Sequence, residues 1–157
     1  MFEELSQHIL DIAMNSLSAN AKKVQISILE SRKHDRLVLR VRDDGRGMDA
    51  ATLRRVLAQR WSSKRQRRKP VGLGLALLQQ TAEMCGGRFQ VRSTPGRGTS
   101  VTASMRLSHI DRPPLGDLNA TILALCAADN QWDVQLNYRS DDEKLSFDSR
   151  ELVRKGN

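Results

Sequence analysis

Two runs of strict alternation set the frame for this chain. Val24, Ile26 and Ile28, then Leu37, Leu39 and Val41, each alternate with other residues, and only the polar stretch 31–35 lies between them. A period of two turns one face of each strand inward, and the short polar link makes the pair antiparallel neighbours. Ahead of them, Leu5, Ile9, Ile12, Ala13 and Leu17 recur at helical spacing over residues 3–18, with Asn20 just past the end, where a left-handed cap tolerates Asn. Behind them, residues 49–57 read as a short helix, residues 58–71 carry no apolar period, and residues 72–85 read as a helix stopped by Gly86-Gly87. Residues 89–93 and 100–107 are strands joined through the turn TPGRGT.

Past the break at Pro113-Pro114, residues 118–128 read as a helix, with strands near 132–138 and 144–147 and a turn at Asp141, Asp142 and Glu143. The order is α-β-β-α-loop-α-β-β, then α-β-β. Such an order predicts a two-layer α/β sandwich, its mixed, mostly antiparallel sheet carrying helices on one face; it is not a doubly wound parallel sheet. Residues 1–107 form the core of this reading. Residues 108–157 form a C-terminal αββ extension expected to pack on the same domain, either lengthening the sheet or making a contact between copies.

The 157 residues suit one domain with one core. No charged-then-apolar leader and no apolar run near the length of a membrane span is present, so a soluble, cytoplasmic protein is expected. Cys85 and Cys126 lack metal-ligand spacing and are expected to be reduced core thiols. The net charge of +8 is concentrated: Arg60, Lys64, Arg65, Arg67, Arg68 and Lys69 crowd one segment, which favours anions. That run has no interleaved aromatics and the chain is only 4% aromatic, so base stacking lacks support and direct nucleic-acid binding is disfavoured.

Three segments carry chemistry. On the first helix Asp11 and Asn15 are one turn apart and share a face with polar Ser18 nearby. An Asn carbonyl is a hard oxygen donor suited to magnesium, and a carboxylate one turn before it can orient or deprotonate a water or hydroxyl. The turn Asp43-Asp44-Gly45-Arg46-Gly47-Met48 leaves a strand end, where an Asp can accept from an exocyclic amine and glycines let backbone approach a flat ligand. Gly72-Leu73-Gly74-Leu75 opens a helix whose first-turn N–H groups favour phosphate. It is neither a Walker loop nor a dinucleotide fingerprint. Each segment alone equally fits a solvent-facing helix, a plain Asp-Gly turn or a glycine-rich helix start.

Together with TPGRGTSV at 94–101, these segments resemble the GHKL superfamily of gyrase-type topoisomerases, heat-shock chaperones, histidine kinases and MutL-type repair proteins, over roughly residues 5–107. The resemblance implies the Bergerat ATP-binding fold, with ATP and Mg2+ as cofactors. It implies that Asn15 binds the metal, Asp43 bonds the adenine amine, and Gly45, Gly47 and Met48 lie beside the base. Gly72, Leu73, Gly74 and Leu75 would border the phosphates and Thr99 would support the adenine site. Residues 49–71 would be the ATP lid, with Lys64 and Arg68 as phosphate contacts. The chain looks most similar to small stand-alone histidine-kinase-like ATP-binding proteins, and LSHIDRPPLGDL resembles an extension of such a subgroup.

Two departures bear on function. Topoisomerases, MutL-type ATPases and anti-sigma-type serine kinases carry Glu four residues before the Asn, whereas histidine kinases usually do not. This chain has Asp11, an acid one methylene shorter. A phosphoacceptor His on a helical hairpin ahead of the ATP-binding segments is expected to be missing, and His8 is expected to line the helix edge rather than receive phosphate. The resulting expectation is a protein kinase or ATP-driven regulatory switch in which Asp11 is catalytic, acting on a protein partner. Its rivals are a slow ATPase and a non-enzymatic nucleotide sensor whose basic face engages an acidic partner.

Overall fold

The computed structural model describes residues 4–58 and 73–151. Its elements run α1 (Leu5–Ser18), β1 (Lys23–Ser31), β2 (Arg36–Asp43), α2 (Ala50–Ala58), α3 (Leu73–Met84), β3 (Phe89–Thr94), β4 (Gly98–Arg106), α4 (Leu118–Ala128), β5 (Asp133–Arg139) and β6 (Lys144–Asp148). The apolar stripe of α1 buries Leu5, Ile9, Ile12 and Ala13. Asn20 takes the left-handed conformation (φ 61°) that ends this helix.

The strands form one six-stranded sheet in the order β3-β4-β2-β1-β5-β6. Every neighbouring pair is antiparallel except β1 with β5, which run parallel. A parallel neighbour needs a crossover, and α4 supplies it between β4 and β5. Alternation sends Val24, Ile26 and Ile28 of β1, Leu37, Leu39 and Val41 of β2 and Val101, Ala103 and Met105 of β4 to one face. There they meet the apolar sides of α1 and α3, including Leu75, Leu78 and Ala82. The result is a two-layer α/β sandwich with a single helical layer. Among the described residues no helix is long and apolar enough to cross a membrane.

The last αββ unit lengthens the sheet. Asp117 caps α4, its Oδ1 accepting from the Ala120 N–H at 3.0 Å. Leu125 is fully buried, and the Trp132 indole N–H donates to the Leu125 carbonyl at 2.9 Å. The preceding linker is stitched to the start of α1, with Leu5 N–H donating to Pro114 O and Ser6 N–H to Leu115 O, both at 2.9 Å.

Two expectations are corrected. His8 does not line the helix edge: it is 0% exposed and its Nε2 lies 3.3 Å from the Thr81 hydroxyl of α3. Position 8 falls one turn from Leu5 and from Ile12, so the packing of α1 on α3 carries it inward. Cys85 is a core thiol, but Cys126 is only half-buried, on the flank of α4. Burial pushes both thiols upward from the ordinary cysteine range.

The β1–β2 turn is held by Asp35, which accepts from the Ser108 hydroxyl and the Ser108 N–H at 2.8 Å each and from Arg106 Nε at 3.2 Å. The Ser108 bonds foremost, with Arg106 adding, hold this carboxyl below the usual carboxylate range. A depressed folded-state value contributes stability above the unfolded value of about 3.9, lost as pH falls through the folded one. Urea unfolding of the native chain and of Asp35→Asn should therefore differ near neutrality and converge as pH falls below about 4. Leu125→Ala should lower the stability of the whole fold by about 2–5 kcal/mol in one cooperative denaturant transition. An unchanged midpoint, or a separate early transition, would show that α4 does not share the core.

Candidate functional site

The residues of the first two chemistry-bearing segments meet at the C-terminal end of β2, where α1, the following turn and β4 converge. Asp43 is the centre. Its Oδ2 accepts from the Ser16 hydroxyl of α1 at 2.6 Å. Its Oδ1 accepts from the Gly45 N–H at 2.9 Å and from the Thr99 N–H of β4 at 3.3 Å. A carboxylate offers roughly four acceptor positions. Three are occupied, so one on Oδ2 is left for an incoming N–H donor.

The turn that follows is fixed by backbone stitches. Arg46 N–H donates to Ala19 O at 2.9 Å, Gly96 N–H to Arg46 O at 2.6 Å, and Met48 N–H to the Ser93 hydroxyl at 2.7 Å. Gly47 has φ +69°, and a Cβ there would come within 2.0 Å of Thr94 O, so only glycine fits between this turn and the β3–β4 turn. The Arg46 guanidinium reaches back to Ser18 O at 2.8 Å. The Ser93 and Thr99 hydroxyls lie 2.8 Å apart.

Beside Asp43 opens a cavity of about 240 Å³. Ile12, Val41, Val56, Leu75 and Val101 give it apolar walls, and Asn15, Asp43 and Thr99 place polar groups on it. Gly47 and Met48 form its turn side and Thr52 of α2 faces them. Low-polarity walls with one directional acceptor suit a flat heteroaromatic base bearing an amine. Asn15 is half-buried at this cavity, and among the described residues its side chain amide makes no hydrogen bond. Among the described residues no group of three His, Cys, Asp or Glu side chains could hold a metal by itself. The Asn15 amide carbonyl is a hard oxygen of the kind magnesium accepts as one of its few protein ligands.

The remaining expected residues fall around this centre. Gly45 packs against Ala19 rather than facing the cavity. Gly74 sits in the first turn of α3, and a Cβ on it would lie 1.8 Å from Asp11 Oδ2. The missing side chain thus makes room for the Asp11 carboxylate, which is brought against the start of α3. Leu73 opens α3, and its side chain lies outside the described residues, as do Lys64, Arg68 and Gly72. Three participants are not evident from motif spacing: Ser16, Ser93 and Arg46. The first two carry a legible signal. Ser16 continues the inward stripe of Ile9, Ile12 and Ala13, and Ser93 takes an inward position after Phe89 and Val91. A hydroxyl on an apolar face needs a partner, and here the partners belong to the site.

Comparison with known proteins bears on the family and the fold. The family model described as "Histidine kinase-, DNA gyrase B-, and HSP90-like ATPase" matches residues 1–109. The sensor histidine kinase ZraS of Escherichia coli (strain K12) is 27% identical over 114 residues, covering 73% of this chain and 24% of that protein. The circadian input-output histidine kinase CikA of Synechococcus elongatus is 30% identical over 103 residues, covering 64% of this chain and 14% of that protein. This chain thus spans a quarter or less of either relative. The MutL ATPase domain of Aquifex aeolicus, solved with ADP, superposes with a TM-score of 0.55 over 92% of this chain and 64% of that one, at 16% identity. With the family match covering well over half its length and the same layered fold beneath it, the chain belongs to the histidine kinase-, DNA gyrase B- and HSP90-like ATPase family.

Proposed function

We propose that this chain binds ATP with magnesium in the cavity beside Asp43 and acts either as a protein kinase, passing the γ-phosphoryl group to a protein partner, or as an ATP-driven regulatory switch. The observation that carries the reading is the Asp43 carboxylate, held by Ser16, Gly45 and Thr99 with one acceptor position left at the mouth of an apolar slot. The adenine amine donates to that position, and Val41, Val101 and Leu75 cover the ring faces. The phosphates then run along α1 towards the start of α3, whose helix dipole favours them. The Asn15 carbonyl would hold the magnesium, which would supply charge neutralisation at the phosphates.

Asp11 stands where an attacking group must be oriented, one turn from Asn15 and against Gly74. It accepts the proton of the partner's hydroxyl as the new O–P bond forms and ADP leaves. With water in place of the hydroxyl the same geometry yields phosphate, the slow-ATPase reading.

Asp43→Asn keeps the Oδ1 acceptor and presents an amide NH2 to the adenine amine. Calorimetry should show ATP affinity reduced by at least about tenfold with the fold intact by circular dichroism. Undiminished affinity would remove the cavity as the adenine site. Asn15→Ala should abolish the gain in ATP affinity that magnesium provides while leaving metal-free binding within about twofold. With γ-labelled ATP, Asp11→Asn should slow label transfer to a partner, or phosphate release, by about a hundredfold or more at near-native ATP affinity. Equal rates in both proteins would strip Asp11 of the base role.

A further inference from the structure

The face of the sheet opposite the helices carries a second concavity, about 500 Å³, spread over β2, β3, β4 and the turn between the last two. Arg40 and Arg42 of β2, Arg92 of β3 and Arg97 of the turn line it, together with Gln90, Ser100 and Thr102. All four arginines are exposed, and none forms an ion pair among the described residues. Other arginines of this chain do find acids: Arg32 pairs with Asp141 and Asp142, Arg106 with Asp35, and Arg150 with Asp148. Within the groove Arg40 Nε donates to the Thr102 hydroxyl at 3.3 Å.

Register fixes their arrangement. Ser100 is the direct partner of both Arg42 and Arg92, so these two flank one polar position, about 10 Å apart across the strands. Arg40 and Arg42 stand two residues apart on one strand face, a repeat of about 6.8 Å. An extended peptide repeats its same-side residues at that spacing. We infer that this groove binds an extended, carboxylate-rich segment of a protein partner, with acidic residues at alternate positions meeting Arg40 and Arg42 and flanked by Arg92 and Arg97.

The chemistry favours this occupant over nucleic acid. Every cation lining the groove is arginine, whose planar fork takes a carboxylate in two parallel bonds. No aromatic residue lines the groove to stack a base. The inference goes beyond the nucleotide reading, because the groove and the nucleotide cavity share only Asp43 and Thr99 and open on opposite faces.

The test is fluorescence anisotropy with a short dye-labelled peptide alternating Glu and Ser, at low salt and without nucleotide. The chain carrying Arg40→Gln, Arg42→Gln, Arg92→Gln and Arg97→Gln should bind at least about tenfold more weakly, and the Arg40→Gln, Arg92→Gln pair should fall between. Equal charge removal elsewhere (Lys22→Gln, Lys33→Gln, Arg139→Gln, Lys144→Gln) should change affinity less than about threefold. Equal losses in both four-fold variants, or no peptide binding by the native chain, would overturn the inference. So would a DNA duplex that binds more tightly than the peptide and depends on the same four arginines. Calorimetry with ATP on the groove variant keeps the two readings apart: retained ATP affinity with lost peptide binding supports the groove alone.

Discussion

One carboxylate joins the parts of this molecule that sequence keeps far apart. Asp43 receives a helix hydroxyl from Ser16, a turn N–H from Gly45 and a strand N–H from Thr99. Each bond is short-ranged, yet together they tie α1, the end of β2 and the start of β4 to one point. Charge-assisted bonds of this kind are stronger than neutral ones, and removing their acceptor would leave the Ser16 hydroxyl without its partner in a buried place. The slot beside Asp43 follows from this anchoring. Its walls are the ordinary inward residues of two strands and two helices, and its directionality comes from the one group that could not be replaced by packing.

The turn after β2 shows how such a point is kept in register. Its backbone is bonded to the end of α1 on one side and to the β3–β4 turn on the other. Gly47 lies where no side chain has room. The cavity beside Asp43 therefore rests on paired backbone groups, and rigid supports of this sort hold a binding geometry better than free loops. Asp11 belongs to the same economy of space: its carboxylate occupies the volume that Gly74 leaves open.

Much of this was legible from the chain alone, for identifiable reasons. Strict alternation in β1 and β2 gave their pairing, because one buried face forces a period of two. The helical stripe of α1, the Gly86-Gly87 stop and the span of α4 followed from local rules that tertiary packing did not override. Asp43 and Asn15 stand out in the chain as an acid at a strand end and an amide on a helix face, Thr99 enters only through the resemblance to a family, and the structure brings all three to one cavity. What escaped was set by long-range packing. His8 sits one turn from an apolar residue on either side, and only the approach of α3 decides that it is buried. Ser16 and Ser93 look like ordinary small residues until their partners arrive from other elements. The parallel pairing of β5 with β1 joins residues more than a hundred apart and leaves no periodic trace.

That parallel pairing also settles which strand is an edge. β1 lies inside the sheet only because β5 covers its outer side, and the chain must be made through residue 139 before that side is closed. Without β5, β1 would present an apolar, β-branched strand with a free row of backbone donors and acceptors. An open strand of that kind is a template for pairing with another chain. The last third of the sequence thus closes an edge that the first two thirds would leave open, and turns β1 from an edge strand into a central one.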